Sequence, residues 1–260
     1  MSTLSLSMVP KPTQRAALGQ VVLNEARITW RRPAPMIGGV AVPLILIVVF
    51  GQIPTFQQKS ASFGGITPFD AYVPILVVFS LAMLALLGLP IPLVSHRELG
   101  VLRRLSTTPV SPAWLLVAQG IIQAAIATFT TVVLLVVSIT AFGVSAPKSP
   151  GGLVLSFLLT TAGLFGIGLT ITALARTAGG VNVIGRLVYF PLMFFAGLWL
   201  PRAIMPAGLL DISNYTPVGA AVEAIQDSML TGFPPVAPLL VLAAYAVGFG
   251  FLAKRLFRWE

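Results

Sequence analysis

Six long apolar runs dominate this sequence and restrict what it can fold into. Each run is close to the roughly 20 residues that an α-helix needs to cross the hydrocarbon core of a bilayer. The runs lack polar–apolar alternation, which argues against transmembrane β-strands, and lipid cannot satisfy open backbone groups. The sequence therefore predicts six transmembrane helices, at about Ala34–Gly51, Tyr72–Val94, Pro112–Phe142, Gly151–Ala175, Val181–Leu200 and Val236–Leu252.

Composition supports an all-α integral membrane protein. The chain is 57% hydrophobic and 9% charged, whereas an ordinary soluble domain is roughly 45–50% apolar and about 25% charged. The net charge of +9 could suggest nucleic acid, but the basic residues lie at the ends of the apolar runs, where they act as topology signals. We therefore expect membrane lipids as neighbours and no nucleic-acid partner. The absence of cysteine excludes disulfides and thiolate metal sites.

The chain divides into an N-terminal part (1–33), a transmembrane domain (34–252) and a basic tail (253–260). Gln14 to Arg32 is predicted to form an amphipathic helix in the headgroup layer. One face of this helix collects polar residues at helical spacing, namely Gln20, Asn24, Arg27 and Arg31. Glu25 and Thr29 interrupt the apolar side, which indicates that a protein neighbour covers that flank.

Lysine and arginine counts predict the orientation. If the N-terminus is cytoplasmic, that side holds twelve basic residues and the other side three, with both termini inside. The twelve are Lys11, Arg15, Arg27, Arg31, Arg32, Arg97, Arg103, Arg104, Arg176, Lys254, Arg255 and Arg258; the three are Lys59, Lys148 and Arg202.

A charged segment, residues 96–112, separates the second and third spans and reads H-R-E-L-G-V-L-R-R-L-S-T-T-P-V-S-P. Both signs of charge lie on about two helical turns, from Arg97 to Arg104. The two X-Pro pairs at its end are stop and restart signals, since the residue before proline is pushed out of the α region. Two interpretations stay open: a solvated loop that follows the positive-inside rule, and a coupling helix that docks a partner protein.

The segment 201–235, between the fifth and sixth spans, is the least regular part of the chain. Ala220 to Leu230 could form a short helix with Glu223 and Asp227 on one side and Val222, Ile225 and Met229 opposite. A pair of re-entrant or interfacial half-helices that borders the exit of a pathway is one interpretation, with Pro217, Glu223 and Asp227 as its candidate residues. A simple surface loop is the other.

Few polar residues lie within the spans. Gln119, Gln123 and Thr130 share one face of the third span, where they either form interhelical hydrogen bonds or line a pathway. Arg186 is placed about five residues into the fifth span, shallow enough to reach the interface. No ionisable residue falls at a predicted bilayer midplane, which argues against an ion-coupled transporter. A strip of small residues, Ala162, Gly163, Gly166 and Gly168, indicates close helix packing.

Several motifs resemble the ABC type-2 permeases, in particular the drug-exporter branch typified by daunorubicin-resistance permeases. The first is Arg97-Glu98-Leu99-Gly100-Val101-Leu102-Arg103-Arg104-Leu105, closed by Thr108-Pro109. The second is Glu25 followed by Arg31-Arg32-Pro33 and Pro43, which is similar to the elbow helix of that family. The third is the run from Tyr189 to Gly197 with Pro201, Met205-Pro206 and Asn214-Tyr215-Thr216-Pro217.

The resemblance implies a transport subunit of the bacterial plasma membrane, without enzymatic activity of its own, that exports a drug-like or lipid-like amphiphile. It implies a second permease copy or homologous permease, and nucleotide-binding subunits that hold ATP and magnesium. No cofactor is expected in this chain, which has no G-x-x-x-x-G-K-[ST] motif. A stand-alone secondary transporter or channel is the alternative. The residues expected to couple to the ATPase are Arg97, Glu98, Gly100, Arg103, Arg104, Glu25, Arg27 and Arg31.

Overall fold

The computed structural model describes residues 14–31, 34–99 and 113–256 of the chain. Within these ranges the regular structure is helical and contains no β-strand, so the predicted all-α fold is confirmed. The α-helices are α1 (Gln14–Arg31), α2 (Ala34–Gln52), α3 (Pro68–Met83), α4 (Pro90–Glu98), α5 (Ala113–Phe142), α6 (Pro150–Leu174), α7 (Ala178–Ala196), α8 (Ala207–Asn214), α9 (Pro217–Leu230) and α10 (Val236–Leu256). A π-helical turn, Leu84–Gly88, joins α3 to α4.

The apolar helices make this a multi-pass membrane protein. Five helices of the described part are long and apolar enough to cross a bilayer: Ala61–Glu98, Trp114–Phe142, Pro150–Leu174, Ala178–Ala196 and Val236–Leu256. The apolar part of α2, Ile37–Gln52, is shorter. The count of six spans therefore stays a prediction.

The second span is the centre of the bundle. The continuous helix that contains α3, the π-helical turn and α4 has 89% of its apolar window buried, whereas the windows of α5, α7 and α10 are 28% buried or less. It contacts α2, α5, α6, α7 and α9. We call it the central helix. Its own chain therefore covers most of its surface.

Two glycines let neighbouring helices approach the π-helical turn closely. A Cβ atom on Gly168 of α6 would lie 2.1 Å from the carbonyl oxygen of Ala85, and one on Gly185 of α7 would lie 2.8 Å from that of Leu86. Gly166 likewise packs on the backbone of α10, where a Cβ atom would lie 3.2 Å from the amide nitrogen of Gly250. The close packing predicted for the small residues of the fourth span is thus confirmed.

The fifth span begins earlier than predicted. Helix α7 starts at Ala178 because the hydroxyl of Thr177 accepts a hydrogen bond from the amide of Gly180 at 3.0 Å. It ends before Gly197, whose φ of +92° is in the left-handed region. Arg186 is consequently the ninth of 19 residues. Arg186 therefore lies nearer the middle of its helix than the sequence predicted, whereas its depth in the membrane stays a prediction.

Helix α1 packs against α5. The polar face predicted for it is exposed, since Gln20, Asn24, Arg27 and Arg31 are all solvent-accessible in the chain. The helix exists where the sequence predicted it, whereas its location in the headgroup layer stays a prediction.

Candidate functional site

Three consecutive residues at the polar end of the central helix, His96, Arg97 and Glu98, contact three other parts of the chain. We call these residues and their partners the junction. Their order matters, because side chains of adjacent residues in a helix point in directions about 100° apart and therefore reach different neighbours.

His96 and α5 share one buried carboxylate of α1. The Nε2 atom of His96 lies 3.1 Å from Oε2 of Glu25, and the side-chain amide of Gln119 donates a hydrogen bond to the same oxygen. Glu25 is 5% exposed. A buried carboxylate is costly unless it is hydrogen-bonded, so these contacts fix α1 to the central helix and to α5. They also supply the protein neighbour that the sequence indicated beside Glu25.

Arg97 and Glu98 hold the turn between α6 and α7. The guanidinium group of Arg97 donates a hydrogen bond to the carbonyl oxygen of Ala175, the residue that caps the C-terminus of α6. Oε1 of Glu98 accepts a hydrogen bond from the amide of Ala178, the first residue of α7, at 3.1 Å. Each charge matches the helix terminus that it contacts, since carbonyl groups are open at a C-terminus and amides at an N-terminus.

The other residues predicted to couple to an ATPase are distributed as follows. Arg27 and Arg31 are exposed on α1, on the face that points away from the bundle contacts. Gly100, Arg103 and Arg104 lie outside the described residues. Leu99, the last described residue before them, is 69% exposed. Arg97 and Glu98, which the sequence predicted as contacts for a partner, therefore already have partners within the chain.

The polar face of α5 is buried. Gln119 and Gln123 are 1% and 2% exposed, and the carbonyl oxygen of each side chain has no hydrogen-bond partner in the described part of the chain. Gln123 lies against Gly88 of the π-helical turn. Thr130 is fully buried and donates to the carbonyl oxygen of Ile126 in its own helix at 2.8 Å. All three side chains thus lie in the interior of the bundle.

A second charged cluster lies at the opposite end of α7. The guanidinium group of Arg202 contacts Oδ1 of Asn214 at 2.6 Å and Oε2 of Glu223 at 2.9 Å, and it also donates to the hydroxyl of Ser213. That hydroxyl donates to the carbonyl oxygen of Phe195 in the last turn of α7 at 2.6 Å. Arg202 therefore joins α8, α9 and α7. From the sequence, Arg202 was interpreted only as a topology signal.

Glu223 and Asp227 line a cavity of about 230 Å³ beside Arg202, with Phe63 and Ile66 among the other lining residues. Burial raises the pKa of Asp227, against the opposing effects of the Thr231 hydroxyl and of Arg202. Burial also lowers the pKa of Arg202, against the opposing charges of Glu223 and Asp227.

Helix α9 carries this pair as the sequence predicted, although it begins earlier, at Pro217. Its opposite face is in the core, since Val222 and Ile225 are fully buried and Met229 is 1% exposed. Gly219 is needed in its first turn, because a Cβ atom there would lie 2.0 Å from the carbonyl oxygen of Ser213.

An apolar cavity of about 820 Å³ opens between α1, α2 and α5. Thr29 supplies the single side-chain hydroxyl of its lining, and the remaining lining side chains are apolar. Such a surface suits an acyl chain or another apolar group. The lining residues are Val22, Ala26, Thr29, Ile37, Val40, Ala41, Ile121, Ile122, Ala125, Ile126 and Phe129.

The sequence of this chain is similar to those of known transport permeases. The sequence is similar to three proteins that carry the name transport permease ycf38. That of Porphyra purpurea is 26% identical over 209 residues, which cover 76% of this chain and 68% of the relative. That of Pyropia yezoensis is 26% identical over 223 residues, 82% of this chain and 72% of the relative. That of Cyanophora paradoxa is 24% identical over 201 residues, 75% of this chain and 68% of the relative.

Residues 17–230 of this chain match the family model of the ABC-2 type transporter. The match runs from α1 to the end of α9 and so includes the junction and the Arg202 cluster. Because it covers most of the sequence, this chain belongs to the ABC-2 type transporter family.

Proposed function

We propose that this chain is the membrane subunit of an ATP-driven exporter, in which a separate nucleotide-binding subunit holds ATP and magnesium and hydrolyses the ATP. Members of the ABC-2 permease family generally work with an ATP-binding subunit. The sequence agrees with this division of labour, since it has no phosphate-binding G-x-x-x-x-G-K-[ST] motif. The proposal places the N- and C-termini and the junction on the cytoplasmic side of a bacterial plasma membrane.

The junction is the observation that carries this proposal. The segment 99–112, which contains Arg103 and Arg104, follows directly after His96, Arg97 and Glu98. These three residues hold the α6–α7 turn directly, and they hold α1 and α5 through the carboxylate of Glu25. A force that a partner applies to this segment would therefore act on four helices besides the central one. We propose that Arg103 and Arg104 contact the ATPase, while Arg97 and Glu98 transmit its movement inside the permease.

We propose an amphipathic, drug-like or lipid-like substrate. The apolar cavity between α1, α2 and α5 supports this class, because it offers a large apolar surface and a single hydroxyl group. A substrate with an apolar part can enter such a surface from the bilayer. Small, fully hydrated solutes would gain nothing from it.

A stand-alone secondary transporter is the second candidate. The position of Arg186 in the middle of α7 removes one sequence-based argument against it, since an ionisable residue does lie at mid-helix. A proton relay, however, needs a group that gives up its proton, and a guanidinium group is not deprotonated in proteins. Arg186 therefore does not favour proton coupling.

Co-purification tests the proposed partner. The tagged wild-type chain is extracted from its own cells and compared with the double variant Arg103→Glu/Arg104→Glu. We expect the wild type to retain a Walker-motif ATPase in stoichiometric amount and the double variant to lose it, because the reversed charges repel the partner surface. Lys254→Glu/Arg255→Glu, a matched charge reversal at the end of α10, should retain the ATPase. A wild-type chain that retains no ATPase contradicts the proposal.

A further inference from the structure

Helix α7 carries a charged residue at its centre. The helix runs from the junction, where Glu98 contacts Ala178, to the Arg202 cluster, which lies against Gly197. At 1.5 Å per residue its 19 residues span about 28 Å, close to the roughly 30 Å of a hydrocarbon core. Arg186, the ninth residue, therefore lies near the bilayer midplane whichever end of α7 faces the cytoplasm.

The side chain of Arg186 is not covered by its own bundle. Arg186 is exposed, and no residue in ranges 14–31, 34–99 or 113–256 forms an ion pair or hydrogen bond with it. The same face of α7 exposes Val183 (59%), Leu187 (70%) and Phe190 (55%). Asn182, one turn earlier, adds an amide beside this face and donates to the carbonyl oxygen of Ala178 at 3.1 Å.

Lipid tails are a poor environment for this face. Charged residues in the middle of a span almost always face the interior of an assembly or a watery cavity. A long side chain can reach the interface from near the end of a span, but Arg186 is about 12 Å along the helix from Ala178 and farther from Ala196. A second permease copy that encloses a pathway against this face would remove Arg186 from lipid.

We propose that this face of α7 lines the transport pathway and that Arg186 binds the anionic headgroup, a phosphate or carboxylate, of the transported amphiphile. The planar guanidinium group matches both oxyanions with two parallel hydrogen bonds. The apolar neighbours Leu187 and Phe190 accommodate the tail of the same molecule. This inference rests on the proposed exporter function and narrows its substrate class.

Cysteine labelling tests the pathway. The chain contains no cysteine, so Leu187→Cys introduces a single reactive thiol. Val247→Cys is the matched control, since Val247 is 73% exposed near the middle of α10. In membranes of the cells that make the protein, we expect a charged, water-soluble methanethiosulfonate to modify Leu187→Cys at least about tenfold faster than Val247→Cys, because thiols in lipid are not ionised. Equal rates overturn the proposed pathway.

Lipid binding tests the role of Arg186. The chain in nanodiscs is titrated with phosphatidic acid and with diacylglycerol of the same acyl chains. We expect wild type to prefer phosphatidic acid and Arg186→Gln to weaken its binding about tenfold or more. Arg186→Lys should bind between the two, because its ammonium group keeps the charge but cannot form the two parallel hydrogen bonds. Arg255→Gln, at the end of α10, should bind as wild type does. Unchanged binding by Arg186→Gln overturns the proposal.

One further outcome is decisive. Inorganic phosphate at millimolar concentration should not displace phosphatidic acid, because it lacks the tail; complete displacement overturns the assignment of an amphiphile. Neither the labelling nor the titration needs an ATPase. A negative result in the labelling or the lipid titration therefore refutes the role of Arg186 and says nothing about the ATPase. A wild-type chain that does not co-purify with an ATPase refutes the exporter function and says nothing about Arg186.

Discussion

The carboxylate of Glu98 accepts a hydrogen bond at 3.1 Å from the backbone amide of Ala178, 80 residues along the chain. The neighbouring Arg97 donates to the carbonyl oxygen of Ala175. Two adjacent side chains of opposite charge thus hold both ends of the α6–α7 turn. The turn and the end of the central helix are therefore expected to move as one unit.

Glu98→Ala should loosen that turn. It removes an anionic acceptor from the N-terminus of α7, and the loss of a comparable helix cap costs about 1 kcal/mol. We expect faster hydrogen exchange at residues 176–180 and a lower melting temperature, with Glu98→Gln intermediate because its oxygen can still accept. Exchange at these amides that is unchanged in Glu98→Ala would show that the contact does not hold the turn.

Glu25→Leu should detach α1 from the bundle. The change leaves the buried Gln119 amide without its acceptor, and an unsatisfied buried polar group costs about 1–3 kcal/mol. We expect increased hydrogen exchange throughout α1. Asn24→Leu, on the exposed face of the same helix, is the control and should leave exchange in α1 as in wild type. Equal effects of the two variants would contradict a specific role of Glu25.

Gly168→Ala should disturb the contact between α6 and the π-helical turn. Its methyl group would lie 2.1 Å from the carbonyl oxygen of Ala85, so backbone must move, and overpacking of this kind costs typically about 1–3 kcal/mol. Gly120→Ala is the control, because nothing lies within 4 Å of a Cβ atom there. We expect it to leave thermal stability unchanged or to raise it slightly. A Gly168→Ala chain as stable as wild type would refute the close contact.

Much of the fold follows from the sequence because hydrophobicity determines it locally. The apolar runs predicted the long helices, and the polar residues at helical spacing predicted the exposed face of α1. The small residues of the fourth span predicted close packing, which Gly168 and Gly166 confirm. The pattern of Glu223 and Asp227 opposite Val222 and Ile225 likewise predicted the faces of α9.

Contacts between distant segments could not be predicted in this way. Nothing in the run 96–98 specifies that Arg97 and Glu98 bond to Ala175 and Ala178, because both partners are backbone groups. The early start of α7 had a signal that was missed, since threonine is a frequent N-cap residue and Thr177 caps this helix. The central position of the second span also had no signal, because burial by protein and burial in lipid both select apolar residues.

Arg202→Gln should loosen the cluster of α8 and α9. The variant removes the ion pair with Glu223 and the contacts with Ser213 and Asn214. Since Glu223 is partly exposed, we expect a loss of about 1–3 kcal/mol in the free energy of unfolding and not the larger penalty of a fully buried pair. Lys59→Gln, an exposed cation at the same end of the bundle, should have no effect. A loss of the same size in both variants contradicts the cluster.

Asp227→Asn should raise thermal stability at neutral pH. Burial raises the pKa of Asp227, so folding disfavours its ionised form. The protonated carboxyl therefore favours the folded chain. This contribution to stability is lost as the pH rises from the ordinary pKa of the unfolded state to the raised pKa of the folded state. We therefore expect the melting temperature of Asp227→Asn to exceed that of wild type at pH 7 and the difference to shrink toward pH 4. A difference that grows on acidification would contradict the burial effect.

ATP hydrolysis by the purified assembly tests the central claim most directly. The tagged wild-type chain, with the subunits that it retains, is placed in nanodiscs beside the Arg103→Glu/Arg104→Glu chain prepared in the same way. We predict vanadate-sensitive ATP hydrolysis in the wild-type sample and background hydrolysis in the double variant. Wild-type hydrolysis no higher than that of the double variant would contradict an ATP-driven permease.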